Sequence, residues 1–165
     1  MSCDNKYLGN KVVISFDTEL SATGDPKTST NFKILGLTNS KSIASAVNTI
    51  DVTTDETGSV SATLAVGETF DITASGFAAN SDIVDVVNQY LLKNFYHTRL
   101  GAQEQPKIWV EIVTPAETIY VYCMMNGYSS AGASKEAETL EFTFSATATC
   151  DLTKPSIIYE LNESV

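Results

Sequence analysis

The stretch TLEFTFSATAT, Thr139 to Thr149, alternates without a slip. Leu140, Phe142, Phe144, Ala146 and Ala148 fall on one side, and Thr139, Glu141, Thr143, Ser145, Thr147 and Thr149 on the other. Successive side chains of a β-strand point to opposite faces. This pattern therefore predicts a strand with one face buried and the other turned to water or a polar partner.

The same period recurs along most of the chain. KVVISFD places Val12, Ile14 and Phe16 on one side. KIWVEIV and TIYVYCMM are joined across Thr114-Pro115-Ala116-Glu117 and predict a hairpin, with Pro115 suited to the second position of its turn. Further strands are expected around Phe32 to Leu37, Ile43 to Val52, Val60 to Val66, Glu68 to Ser75 and Ile157 to Leu161. One segment, NSDIVDVVNQYLLKNF, breaks the rhythm. Its apolar residues Ile83, Val86, Val87, Tyr90, Leu91 and Phe95 have the spacing of a helix with one buried stripe. Asn80 or Ser81 can cap its start, Asp82 and Asp85 suit the positive end of the helix dipole, and Lys93 suits the other end. Ser21 to Asn31 and Asn126 to Glu138 read as exposed loops, and the ends, 1–10 and 162–165, are expected to be flexible. The expected fold class is mainly β and antiparallel with one α-helix, in a single domain over residues 1–165.

Charge narrows the function. An apolar fraction of 43% supports an ordinary core, while a net charge of −10 argues against a basic nucleic-acid surface. From Ser42 to Leu92 there is no Lys or Arg, yet Asp51, Asp55, Glu56, Glu68, Asp71, Asp82 and Asp85 all lie there. Such segregation fits one solvated face, or two complementary surfaces on copies of one protein that assemble head to tail. No secretory signal is visible at the start, and no apolar run approaches the ~20 residues needed to cross a bilayer, so membrane insertion is not expected. Cys3, Cys123 and Cys150 are odd in number, lack a CxxC pair and read as free thiols of a reducing cytoplasm.

Catalytic chemistry finds little support. The one histidine, His97, is expected just after the helix and has no adjacent nucleophile; a polar residue at a helix end or interface is the simpler reading. No zinc spacing, phosphate loop, GxSxG or HExxH occurs. The run DVTTDETGSVS, Asp51 to Ser61, gathers three carboxylates. Counted from Asp51 as a calcium loop, however, its sixth and twelfth positions are Glu56 and Ala62, where glycine and glutamate are required. Asp55-Glu56-Thr57-Gly58 instead fits a β-turn, with Asp first and Gly last, at the tip of a long acidic hairpin. Trp109, Tyr120 and Tyr122 lack the basic neighbours of base-stacking residues and read as packing or interface aromatics. Met124 and Met125 read as filling a core or subunit contact. No catalytic residue, cofactor or metal ligand is expected.

The order of elements, with TNSKSI…IDVTTDETG, the strand GETFDITASG and the closing NGYSSAGASKEAETLEFTFSATATC, resembles the major tail tube proteins of long-tailed bacteriophages. The resemblance spans nearly the whole chain by architecture and loose pattern. It implies a β-sandwich or barrel-like tail-tube fold with a flanking α-helix, and a structural virion protein rather than an enzyme. Copies would form homohexameric rings that stack into a hollow tube for genome ejection. Inner strands would join edge to edge around a lumen through which DNA passes without specific binding. The resemblance makes the hairpin tip, Asp51, Asp55, Glu56 and Gly58, an inter-ring contact, and Asp51, Glu68 and Asp71 candidate lumen-facing acids. Ile43 to Val52, Val60 to Ser75 and the hairpin Lys107 to Met125 become inner-sheet candidates. The helix stripe Ile83, Val87, Tyr90, Leu91 and Phe95 would close the subunit core on the outside. The ends and the two loops would order on assembly. Implied partners are further copies of the chain, a tape measure protein, tail tip or baseplate proteins and a tail terminator. The implied location is the virion tail, assembled in the host bacterial cytoplasm. Other readings are a related tube or ring former, such as a secretion-system tube or tail completion protein, and a monomeric β-sandwich binding module or adhesin that uses the acidic run for calcium.

Overall fold

The computed structural model describes residues 12–36, 38–53, 62–78, 84–132 and 138–162. Strands β1 (Val13–Asp17), β2 (Lys33–Ile34), β3 (Thr38–Asp51) and β4 (Thr63–Phe77) precede α1 (Val84–Gly101), the one α-helix among the described residues. Strands β5 (Lys107–Val113), β6 (Glu117–Ala131), β7 (Thr139–Ala146) and β8 (Ile157–Leu161) follow it. All pairings are antiparallel, in the order β2-β1-β5-β6-β7-β4-β3, and β8 pairs with β6.

β6 is where the sheet forks. Its first residues, Glu117 to Val121, hold β5 on one side and β8 on the other; from Cys123 onward β7 takes the place of β8. Tyr122 stands at the fork, its N–H donating to the Ser156 carbonyl (2.7 Å) and its carbonyl accepting from the Thr147 N–H (2.9 Å). The Thr114–Glu117 turn closes the β5–β6 hairpin as its sequence predicts, with the Thr114 hydroxyl donating to the Glu117 carbonyl.

The alternation seen in the sequence builds the core directly. Leu140, Phe142 and Phe144 of β7 and Phe70, Ile72 and Ala74 of β4 pack with Ile108, Val110 and Ile112 of β5 and Leu92 of α1. β5 and the start of β6 are covered on their second face as well, where Trp109, Tyr120 and Tyr122 pack with Leu20, Phe32 and Ile158. A strand buried on both faces needs apolar residues at nearly every position, which accounts for the compact runs KIWVEIV and TIYVYC.

The loop Ser21 to Asn31 is anchored within one chain, contrary to an ordering that waits for assembly. The buried Asp17 carboxylate accepts from the backbone N–H groups of Glu19 and Leu20 and from the Ser29 hydroxyl (2.6 Å). A short 3-10 turn, Pro26–Thr28, sits between these contacts with Asp25 as its cap.

Several boundaries differ from the sequence expectations. The two strands expected on either side of Gly67 are one strand, β4, and Gly67 marks a bulge: Asn48 pairs with Gly67 but Thr49 pairs with Ala65. The expected loop from Asn126 is strand as far as Ala131, because pairing with β7 overrides the small polar composition of NGYSSA. The strand at Phe32 to Leu37 shrinks to Lys33–Ile34, and Leu37 lies outside the described residues. The helix runs on to Gly101, so His97 lies inside it and Lys93 near its middle. It ends where Gln103 turns to φ 58° and the Glu104 N–H reaches back to the Arg99 carbonyl.

The buried helix stripe also shifts. Tyr90 is 65% exposed, and the fully buried positions are Gln89 and Leu92. Leu91 and Phe95 are half-buried; Ile83 and the Val87 side chain lie outside the described residues. Position 89 takes the inward place because its carboxamide finds backbone acceptors inside.

Candidate assembly surfaces

Four strands, β3, β4, β7 and the second half of β6, form a continuous sheet whose inner face is the core just described. Register fixes the opposite face. Ser40, Ser75, Glu141 and Ser129 form one cross-strand row, Ser42, Thr73, Thr143 and Gly127 the next, and Ala44, Asp71, Ser145 and Met124 a third. The face is small and hydroxyl-rich, carries Asp71 and Glu141, and has no Lys or Arg in these rows of the four strands; Lys107 of β5, which pairs with Met124, stands at its margin. Lys41 pairs with the buried Ala74 and so belongs to the other face. Asn126 donates to the Ser145 hydroxyl (2.6 Å), which donates to the Asp71 carboxylate (2.6 Å), so the third row is tied together sideways. The bulge between Met125 and Gly127 places Asn126 for this contact, with Gly127 at φ 147°.

Among the described residues the two flanks of this sheet are open. β3 ends the strand order, leaving its outer edge without a partner over fourteen residues among the described residues. On the far side, β5 pairs with β6 only as far as Met124, and the Met125 N–H bonds to the Pro106 carbonyl. Among the described residues, Asn126 to Ala131 therefore have β7 on one side and no strand on the other. Open flat edges are templates for another strand, and β3 carries neither proline nor a charge other than Lys41 and Asp51 to protect it.

β3 and β4 also run on beyond the body. β7 pairs only with Asp71 to Phe77 of β4, so Thr63 to Phe70 and the facing part of β3 form a two-stranded arm. Nearly every residue of the arm is exposed, including Val47 (61%), Ile50 (48%) and Leu64 (54%). A two-stranded ribbon with apolar residues in water is marginal by itself, so such an arm is suited to a partner surface.

The acids singled out in the sequence do not share one surface. Asp71 lies on the hydroxyl-rich face. Glu68 pairs with Val47, and Asp51 with Thr63, on the opposite side of the ribbon. Glu68 accepts from the Ser45 hydroxyl (2.9 Å). Burial, then the charges of Glu68 and Glu117, push the Tyr159 phenol pKa up. Asp51 accepts from the backbone N–H and hydroxyl of Thr53, which hold its carboxyl below the ordinary value. Asp55, Glu56 and Gly58 lie outside the described residues. Glu141, missed in the sequence reading, was marked there only by its place in the alternation of TLEFTF.

The remaining candidates are placed without a catalytic constellation. His97 Nε2 and the Tyr128 hydroxyl are 2.7 Å apart between α1 and the second half of β6, and Lys93 lies over the Tyr128 ring. Cys123 is buried, and burial pushes its thiol pKa far up; Cys150 is exposed. Among the described residues no group of three His, Cys, Asp or Glu could hold a metal ion. Trp109 is enclosed, its indole N–H donating to the Ser21 carbonyl (2.9 Å), and Tyr120 and Tyr122 pack beside it. The β5–β6 hairpin is thus covered on both faces up to Tyr122 and cannot line an open surface there.

No family model matches the sequence, and no curated protein is similar to it in sequence. Solved structures are similar in fold. A chain from the tail of an empty gene transfer agent particle, refined with C6 symmetry, matches with a TM-score of 0.61 at 18% identity, over 87% of this chain and 96% of that one. The SPP1 tail tube matches with a TM-score of 0.57 at 9% identity, over 86% and 76%. A chain of the anti-feeding prophage baseplate, symmetrised six-fold, matches with a TM-score of 0.63 at 8% identity, over 96% and 97%. The chain has the fold of these tail proteins.

Proposed function

We propose that the chain is a structural tail-tube subunit whose copies close into six-membered rings and stack around a lumen. The observation that carries this reading is the four-stranded sheet whose two flanks have no strand partner among the described residues, and whose outer face is small and hydroxyl-rich, with Asp71 and Glu141 and no Lys or Arg in the paired rows of its four strands. An edge on each side makes a head-to-tail contact, and head-to-tail contacts close into a ring when the rotation between copies is right. β3 of one copy pairs with Asn126 to Ala131 of the next, which removes both exposed edges at once. The C6 symmetry of a neighbour in fold supports six copies.

Ring closure in this sense sets the face of Asp71 and Glu141 toward the lumen and α1 toward the outside. Fixed negative charge and small hydroxyls repel and do not grip a polyanion, so DNA passes without binding. The arm then contacts neighbouring copies through Val47, Glu68 and Asp51, and its tip, Asp55, Glu56 and Gly58, meets the next ring. A tape measure protein in the lumen, a tail tip or baseplate below and a terminator above complete the partners. The assembled protein belongs to the virion tail, built in the host bacterial cytoplasm.

Electron microscopy of the purified chain at high concentration tests the reading. Stacked hollow rings are expected, and an Asp55→Lys/Glu56→Lys variant is expected to form rings that stack poorly. Particles that stay monomeric at every concentration count against the proposal. The baseplate match favours a second reading, a ring-forming baseplate or completion component; that would give closed rings that do not stack.

A further inference from the structure

The second half of β6 is an edge that its own composition does not sustain. β5 pairs no further than Met124, and the chain then reads NGYSSA from Asn126 to Ala131. Asn, Gly and Ala are poor strand formers, and Ser129 and Ser130 are exposed. Tyr128 is the exception. It is half-buried against the core beside its cross-strand partner Phe142, with the two ring centroids 6.0 Å apart. Three residues of α1 close round it. Lys93 Nζ lies 5.3 Å from the ring centroid, and Tyr96 and His97 meet the ring edge-on at 6.0 and 5.6 Å. His97 Nε2 is also 2.7 Å from the Tyr128 hydroxyl. Positions 93, 96 and 97 are three and four apart, so they share one face of the helix. The Tyr96 hydroxyl stands over Gly127 as well, 3.7 Å from where a Cβ would be.

We propose that Lys93, Tyr96 and His97 are positioning residues for the open edge, acting through Tyr128. They hold Asn126 to Ala131 extended in the single subunit, so that β3 of a second copy meets a strand already formed. β7 bonds this strand on one side, and on the other it has no strand partner among the described residues. Tyr128 is the one side chain of the segment with enough surface to hold it down on the body. A strand formed beforehand spares the docking step the entropy of ordering those residues. The use of the edge by a second copy rests on the tail-tube reading; the formed edge does not.

Hydrogen exchange on the full-length, unassembled protein separates the two. A Lys93→Ala/His97→Ala variant alters no residue of the strand, and alanine favours the helix, so the fold is kept. Amides of 127–131, and those of 139–143 that pair with them, are expected to exchange about tenfold faster, while Ile108 to Ile112 are unchanged. Tyr128→Ser is expected to accelerate the same amides at least as much. Unchanged exchange at the edge in the helix variant, or acceleration spread evenly over the molecule, overturns the proposal. Acceleration in Tyr128→Ser alone overturns it too, because the strand would then be held without α1. In assembly, the helix variant is expected to raise the concentration needed for tube growth about tenfold. Growth at the parent concentration with a loosened edge overturns the link to assembly. Failure of the parent protein to form tubes counts against the tube, and the exchange result then decides the edge by itself.

Discussion

Gly127 is held at φ 147° by the bulge that directs Asn126 toward Ser145. A Cβ there would meet the Tyr96 hydroxyl at 3.7 Å, an ordinary contact, so the cost of adding one is backbone strain rather than collision. Gly127→Ala is expected to lose about 1–3 kcal/mol in chemical denaturation. Titration gives a second residue-scale expectation. Burial raises the pKa of the Cys123 thiol above its ordinary 9.0, and of the Tyr120 and Tyr122 phenols above their ordinary 10.0. The unfolded chain gives up these protons first, so the stability they contribute is fully present below the ordinary values and is lost as pH rises above them. The melting temperature is expected to fall from pH 9 upward, starting with Cys123 and joined by the tyrosines from pH 10. A Cys123→Ala variant, less stable at neutral pH, should lose the first part of that fall.

The arm shows most clearly which interactions an element makes alone. Val47 and Ile50 are exposed and contribute little to the isolated subunit, so Val47→Ser with Ile50→Ser is expected to change stability by no more than about 0.5 kcal/mol per site. The same pair should strongly reduce tube formation, as read by sedimentation of concentrated protein. A drop in melting temperature without an assembly defect would place these side chains in the fold instead. This division also explains how much the sequence disclosed. Where one face of a strand meets the core, as in Leu140, Phe142 and Phe144, alternation was readable without a partner. The β5–β6 hairpin and β8 were readable for a different reason, their short apolar runs, because strands covered on both faces do not alternate. What escaped was set by distant pairing. Gly67 read as a break because a bulge and a strand end look alike without the opposing Asn48. NGYSSA read as a loop because its order comes from β7. Tyr90 read as core because a helix stripe can rotate by one position when a polar residue such as Gln89 finds acceptors inside. The acidic run was readable as lacking a catalytic partner, but the faces of Asp51, Glu68 and Asp71 needed the register.

At the scale of the molecule, the charge of −10 acquires a direction. Asp71 and Glu141 stand on a face whose four strands present no Lys or Arg in their paired rows, with Lys107 of β5 at its margin, while Lys93 and Arg99 lie on α1. If that face is the lumen wall, Thr73→Lys with Thr143→Lys should give tubes that retain DNA, with retention falling steeply as salt rises because each lysine releases counterions. Tubes of the parent chain should retain none, measured by co-sedimentation with short duplexes. Tubes of the double variant that remain indifferent to DNA would place that face elsewhere. The most direct test of the central claim is a cryo-electron microscopy map of tubes grown from the purified protein. The account predicts stacked six-fold rings in which β3 of one copy lies beside Asn126 to Ala131 of the next, with Asp71 and Glu141 facing the lumen. Tubes whose subunits meet through other surfaces, or whose lumen is lined by the opposite face, would contradict it.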